Sequence, residues 1–141
     1  MRILVDADSC PVKEQIEAIA QERNIPVILF SDYNHHLSSS YSEIVTVQEG
    51  INSADYALLN FCQKGDVIVT KDILLASLGL SKGAKVLNPS GREYRNETID
   101  LDLAVRNMRA VSRHTHKRKK RQSEKKNVTV NFQDSLNSLL C

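Results

Sequence analysis

Short, wholly apolar runs alternate along the first two thirds of the chain with stretches whose apolar residues recur at helical spacing. Ile3-Leu4-Val5 stops at Asp6, the pattern of a strand buried on both faces of a parallel sheet. Ser9 or Cys10 can cap the first helix, and Pro11 suits a first helical position. Val12, Ile16, Ile19 and Ala20 then form an apolar stripe with Lys13, Glu14, Glu17 and Gln21 outside it, and Asn24 ends that helix. Val27 to Phe30 reads as a second strand. The polar stretch SDYNHHLSSSYS reads as a surface loop, and Ile44, Val45 and Val47 as a third strand. Asn52 or Ser53 opens a helix carrying Ala54, Ala57, Leu58 and Phe61, which Gly65 stops. Val67-Ile68-Val69 is a fourth strand, and Leu74, Leu75 and Leu78 a short helix closed near Gly79 or Gly83. Val86-Leu87 is a fifth strand, followed by the turn Asn88-Pro89-Ser90-Gly91.

Strands that alternate with helices predict an α/β fold of three layers, a central and mainly parallel five-stranded sheet flanked by helices. A helix is expected from Asp100 to about Ser112, with Leu101, Ala104, Val105 and Met108 inward. Val128, Phe132, Leu136 and Leu139 predict a C-terminal helical extension, although Val128, Val130 and Phe132 also alternate as a strand would. The expected organisation is an α/β domain over 1–112, a basic linker over 113–126, and a C-terminal helix within 127–141 packing on the same domain.

At 141 residues the chain is the size of one domain, and with 41% hydrophobic residues and no Trp its core must be aliphatic. No apolar run reaches the roughly 20 residues of a membrane span, and the opening MRILVDAD does not read as a signal peptide, so neither a membrane nor a secreted protein is expected. Cys10, Cys62 and Cys141 form no paired spacing, which argues against a disulfide framework or a zinc ribbon. A reduced, cytoplasmic setting is expected. The formal net charge of +2 conceals a division: residues 1–112 carry −4, whereas 113–126 (RHTHKRKKRQSEKK) carry +7.

The acids fall where a site would be. Asp6 and Asp8 follow the first strand, Asp72 follows the fourth through Thr70-Lys71, and Asp55 lies in the first turn of the second helix. Open α/β sheets bind ligands beyond the carboxyl ends of their strands, at the point where strand order reverses. One acid after a strand most often caps a helix or turn. Asp6, Asp8 and Asp72 together, with Asp55 joining from the edge, point to hard oxygen ligands for Mg²⁺ or Mn²⁺. Such an ion activates water and neutralises charge on a phosphoryl group, and Thr70 is placed to orient that water or a phosphate oxygen. Asp66, at the other end of the fourth strand, reads as a turn residue.

These blocks carry a resemblance. VDADSCP, NSADYAL, GDVIVTKD, LNPSGREY and the LAVR helix are similar, in order and over roughly residues 1–109, to the YaiI/YqxD family of bacterial proteins. That family is placed among PIN-like domains, many of which are metal-dependent ribonucleases. The resemblance implies a PIN-like fold, a Mg²⁺- or Mn²⁺-dependent endoribonuclease activity, and Asp6, Asp8, Asp55 and Asp72 as the family's acids. Two departures stand out: Asn52 occupies a position where an acid is expected, and His116-Lys117-Arg118 replace an expected Gly-Gly-Pro.

The basic stretch, with Lys117, Arg118, Lys119, Lys120 and Arg121, has the charge density of a phosphate-backbone contact, and Arg106 and Arg109 share a helix face that extends it. Its bland counterpart is a solvated linker. It contains no aromatic residue on which a base would stack. RNA is thus the expected partner, no membrane is expected, and a homodimer is left open. The alternatives are a non-catalytic RNA- or nucleotide-binding protein and, lower, a haloacid-dehalogenase-like phosphatase built on Asp6-x-Asp8. His35-His36 and His114-x-His116 lack neighbouring acid or Cys ligands and read as surface residues; Cys10 reads as a small core residue.

Overall fold

The computed structural model describes residues 1–32, 38–47, 53–115 and 131–140. Six strands form one sheet: β1 (Ile3–Asp6), β2 (Val27–Asp32), β3 (Glu43–Val47), β4 (Val67–Val69), β5 (Lys85–Leu87) and β6 (Glu93–Tyr94). Their order is β3-β2-β1-β4-β5-β6. All neighbours are parallel except β5 and β6, which pair antiparallel through Val86↔Tyr94 and Leu87↔Glu93. The chain therefore builds outward from β1 to β3, then returns to the other side of β1. The reversal of strand order falls between β1 and β4.

Five helices flank the sheet among the described residues: α1 (Lys13–Arg23), α2 (Ser53–Phe61), α3 (Ile73–Ser81), α4 (Ile99–Thr115) and α5 (Phe132–Leu140). Alternation along each buried strand feeds two cores. Ile3, Val5, Val27, Leu29, Val67 and Val69 face one layer with Ile16, Ile19 and Ala20 of α1 and Phe132, Leu136, Leu139 and Leu140 of α5. Leu4, Ile28, Phe30, Ile68 and Val86 face the other with Leu58, Leu75, Ala76 and Ile99. The result is a three-layer α/β fold, and its core is aliphatic as the composition requires. No described helix is long and apolar enough to cross a membrane.

Several boundaries depart from the sequence reading. The sheet has six strands, not five, because a two-residue strand is too short to show alternation. Tyr94 fixes β6 by its packing, and its hydroxyl accepts from Asn88 Nδ2 at 2.8 Å and donates to the Lys71 carbonyl at 3.3 Å. The first helix begins at Lys13, not Pro11, and Val12 stands at its N-cap without a side-chain bond. The chain leaving β1 first makes a 3₁₀ turn over Ala7–Ser9, and Lys13 Nζ donates to the carbonyl of Cys10 at 3.0 Å. In α4, Leu101, Ala104 and Met108 are exposed rather than inward, since Ile99 and Leu103, four residues apart, set the buried face. Of the C-terminal residues that allowed a strand, Phe132 opens α5, while Val128 and Val130 lie outside the described residues.

Asp66 is a structural acid. Buried at the amino end of β4, it accepts from Arg2 N at 3.1 Å, Arg2 Nη2 at 3.0 Å and Gln63 N at 2.9 Å, closing the turn before the strand. Gly79 does not end α3, which runs on to Ser81. A Cβ there would stand 2.6 Å from Ile68 Cδ1. Gly79→Ala is therefore expected to destabilise the fold by about 1–3 kcal/mol through overpacking, read as a lower midpoint in urea unfolding; an unchanged midpoint would show that Ile68 yields freely.

Candidate functional site

The register of β1 with β4 (Ile3↔Val67, Leu4↔Ile68, Val5↔Val69) carries Asp6 and Thr70 to adjacent positions at the strand-order reversal. Both are buried. Thr70 Oγ1 donates to Asp6 Oδ2 at 3.0 Å and accepts from Asp72 N at 3.0 Å. Beyond the carboxyl end of β4, Asp72 is the N-cap of α3: its Oδ1 accepts from Leu74 N at 2.9 Å and Leu75 N at 3.4 Å. A single chain of hydrogen bonds thus runs from the end of β1 through Thr70 to the start of α3.

Asp55 enters from α2, whose first turn it occupies. Burial, then the negative charges of Asp6 and Asp72, then a side-chain hydrogen bond with Asp72, then Asp8, push its carboxyl up to about 6. Acids from β1, the 3₁₀ turn and the α3 cap therefore all act on Asp55 of α2 at one end of the sheet. Asp8 is the exposed member. Cations border them. Lys13 and the exposed Lys71 both act on the Cys10 thiol, which Asp6 also reaches. Burial outweighs these lysines and raises the thiol, so Cys10 is an inert core residue, not a nucleophile.

Hard carboxylate oxygens suit Mg²⁺ or Mn²⁺. Among the described residues no group of three or more His, Cys, Asp or Glu side chains is drawn together closely enough to encase an ion. The donor set fits a cation that keeps most of its waters and takes one or two carboxylates directly, as Mg²⁺ does. The field that raises Asp55 is relieved by such a charge.

The five residues that sequence reasoning singles out, Asp6, Asp8, Asp55, Thr70 and Asp72, lie at the same end of the sheet, with Thr70 bonded to Asp6 and Asp72, and Asp55 bonded to Asp72. The structure shows Thr70 already engaged on both sides of its hydroxyl. Lys13 and Lys71 escape that reasoning, although Lys71 stands between Thr70 and Asp72. Of the basic residues, Arg106 is exposed on α4. The Arg109 side chain and Lys117, Arg118, Lys119, Lys120 and Arg121 lie outside the described residues, as do Asn52, His35, His36 and His116.

Residues 4–141 match the family described as "Uncharacterized BCR, YaiI/YqxD family". The chain belongs to this family. A UPF0178 protein of Clostridium tetani (strain Massachusetts / E88) is 50% identical over 108 residues, covering 77% of this chain and 74% of the relative. A UPF0178 protein of Lachnoclostridium phytofermentans is 42% identical over 144 residues, covering 99% of this chain and 97% of the relative. YaiI/YqxD membership thus takes in the acid-bearing strands and α5 alike. No solved structure matches the chain.

Proposed function

We propose that this YaiI/YqxD protein is a PIN-like, Mg²⁺- or Mn²⁺-dependent endoribonuclease whose acids hold the ion against a phosphodiester. The observation that supports the reading most is the raised carboxyl of Asp55, because Asp6, Asp72 and Asp8 all act on it at a strand-order reversal. A structural cap such as Asp72 alone would need no such company.

One or two of Asp6, Asp8, Asp55 and Asp72 would bind the ion directly and the others through its waters, and the ion would supply activation of water and neutralisation of charge on the phosphate. Thr70 acts through Asp6, fixing the orientation of that carboxylate. Asp72 divides its oxygens: Oδ1 caps α3, so the α3 backbone holds the side chain in place. Asp55, poised near pH 6, can give up a proton as the site takes a cation. Lys71 and Lys13 offer positive charge beside the acids for the nucleic-acid backbone. The basic residues 117–121, with Arg106 and Arg109, extend the backbone contact.

The test is cleavage of single-stranded and structured RNAs with Mn²⁺, with Mg²⁺ and with EDTA, alongside Asp72→Asn protein. Asn caps helices as well as Asp does, so this variant keeps α3 and isolates the charge. Metal-dependent cutting that vanishes in the variant is the expected result. Cutting that survives in Asp72→Asn removes the assignment, and salt-sensitive RNA binding in EDTA without turnover would leave a binding protein. Thr70→Val removes both hydrogen bonds of the hydroxyl at nearly constant volume and should lower the cleavage rate about 10–100-fold, the usual cost of losing the partner that orients a metal ligand. A Thr70→Val protein as active as its parent would show that Asp6 needs no such support.

A further inference from the structure

The hydrogen bonds that end on Asp6 begin at the β6 edge of the sheet. In the turn after β5, Ser90 N donates to Asn88 Oδ1 at 2.8 Å, which fixes the amide so that Asn88 Nδ2 faces the Tyr94 hydroxyl, 2.8 Å away. An amide NH₂ only donates, so the hydroxyl accepts from it and directs its own proton to the Lys71 carbonyl at 3.3 Å. That carbonyl belongs to the Lys71–Asp72 peptide, whose N–H donates to Thr70 Oγ1 at 3.0 Å. The Thr70 proton is then left for Asp6 Oδ2, also at 3.0 Å. Every link points the same way, from Asn88 through Tyr94, the peptide and Thr70 to the carboxylate. The backbone donors of Ser90 and Asp72 leave no link free to reverse. Hydrogen bonds in such head-to-tail order polarise and strengthen one another.

We propose that Tyr94, oriented by Asn88, is a positioning residue for the acids: it grips the Lys71–Asp72 peptide and so sets the Asp72 carboxylate and, by way of Thr70, that of Asp6. The part these acids play in catalysis rests on the ribonuclease reading; the grip on them does not. Packing alone gives the hydroxyl no purpose. Tyr94 is 2% exposed in the core layer of α2 and α3, where a phenylalanine would bury the same ring with no polar group to satisfy. Burial raises the phenol, so it keeps its proton and donates at neutral pH. Arg92, tied to Asp102 at 2.6 Å, lies 5.8 Å from the ring centroid and adds a cation–π contact that holds the ring. The peptide that Tyr94 grips turns the chain from β4 into α3, and Thr70 holds its other side. Asp72 Oδ1 is already committed to Leu74 N and Leu75 N, so fixing the peptide fixes the carboxylate as a whole.

Tyr94→Phe keeps the ring and removes the hydroxyl. Amide hydrogen exchange is followed by NMR in this variant, in the parent and in Asp66→Ala, whose lost hydrogen bonds lie at the other end of β4. In Tyr94→Phe the Asp72 amide is expected to exchange about 2–10-fold faster relative to the amides of β1 and β5, the effect of one ordinary hydrogen bond lost from its chain. Asp66→Ala should quicken the core amides without singling out Asp72. In titrations read by melting temperature, Tyr94→Phe should need about tenfold more Mn²⁺ for half of its stabilisation, the low end for a lost supporting contact around a metal, and Asp66→Ala the parent's amount. Asn88→Asp is the second variant. Its carboxylate still accepts from Ser90 N but also accepts from the Tyr94 hydroxyl, which draws that proton off the Lys71 carbonyl. The Asp72 amide should quicken again, with the hydroxyl present. An Asp72 amide that quickens no more than the core amides overturns the proposal, as does an unchanged Mn²⁺ requirement in Tyr94→Phe. If Mn²⁺ stabilises neither protein, the ribonuclease reading loses its ion and the amide alone decides. Exchange does not depend on turnover: selective quickening without RNA cleavage by the parent would keep the grip and remove the ribonuclease reading, whereas cleavage without selective quickening would do the reverse.

Discussion

Asp6→Asn protein is expected to fold and to lose RNA cleavage by about 10²–10³-fold, the size of effect seen when one preorganised electrostatic group is removed from an active site. The reason is where Asp6 sits. It is buried at the end of a central strand, and Thr70 donates to one of its oxygens. Asn has nearly the same shape, and its carbonyl can still accept from Thr70. What disappears is a negative charge that Asp55 feels more strongly than that of any other residue. Removing it relieves repulsion, so the melting temperature at pH 7 should hold or rise while activity falls. A structural acid behaves in the opposite way. Asp66, which closes the turn at the far end of β4 with three accepted hydrogen bonds, should lower the melting temperature when changed to Ala and leave the specific activity of the folded fraction unchanged. Parallel melting and cleavage measurements on the two variants separate the roles. An Asp6→Asn protein that unfolds, or one that cuts as fast as its parent, would remove Asp6 from the catalytic set.

The two ends of β4 also show what is legible in the sequence. Short apolar runs ending in acids define β1 and β4 and put Asp6, Thr70 and Asp72 on one edge, because a buried parallel strand has little choice of register or neighbour. The α2 stripe at helical spacing places Asp55 as well. Less legible are features decided by tertiary packing alone. β6 is two residues long and exists because Tyr94 is buried against its neighbours. The rotation of α4 depends on Ile99 and Leu103 joining the core beside α3, and a helical wheel drawn from residue 100 onward chooses the wrong face. Thr70 can be placed at the site from sequence, but its role cannot, since both partners of its hydroxyl are fixed only when β1 and β4 pair. Tyr94 gives no signal of its reach: a tyrosine beyond a turn is ordinary until its hydroxyl is seen to meet the Lys71 carbonyl.

The pH dependence of stability should carry the mark of Asp55. Its carboxyl is raised from 3.8 to about 6 in the folded protein. Between those values the native state holds a proton that the unfolded chain has released, so stability falls as pH rises through this window and levels off above it. Asp55→Asn removes the group that titrates. The variant should be nearly flat across the window where the parent declines, and above pH 6 it should be the more stable of the two by about 1–2 kcal/mol, a figure discounted for the solvent that reaches a half-buried carboxyl. That corresponds to about 3–6 °C in melting temperature for a domain of this size. Divalent cations reverse the order. Only the ionised carboxyl attracts them, so Mg²⁺ or Mn²⁺ should raise the melting temperature of the parent increasingly as pH passes 6, and should do so less for Asp55→Asn. Melting curves from pH 4 to pH 8, with and without Mn²⁺, read both effects at once. If the parent and Asp55→Asn follow the same pH curve, the acids do not act on one another as their placement implies. If the curves differ but Mn²⁺ moves neither, the acids are coupled to each other and to no metal, and the ribonuclease reading loses its cation.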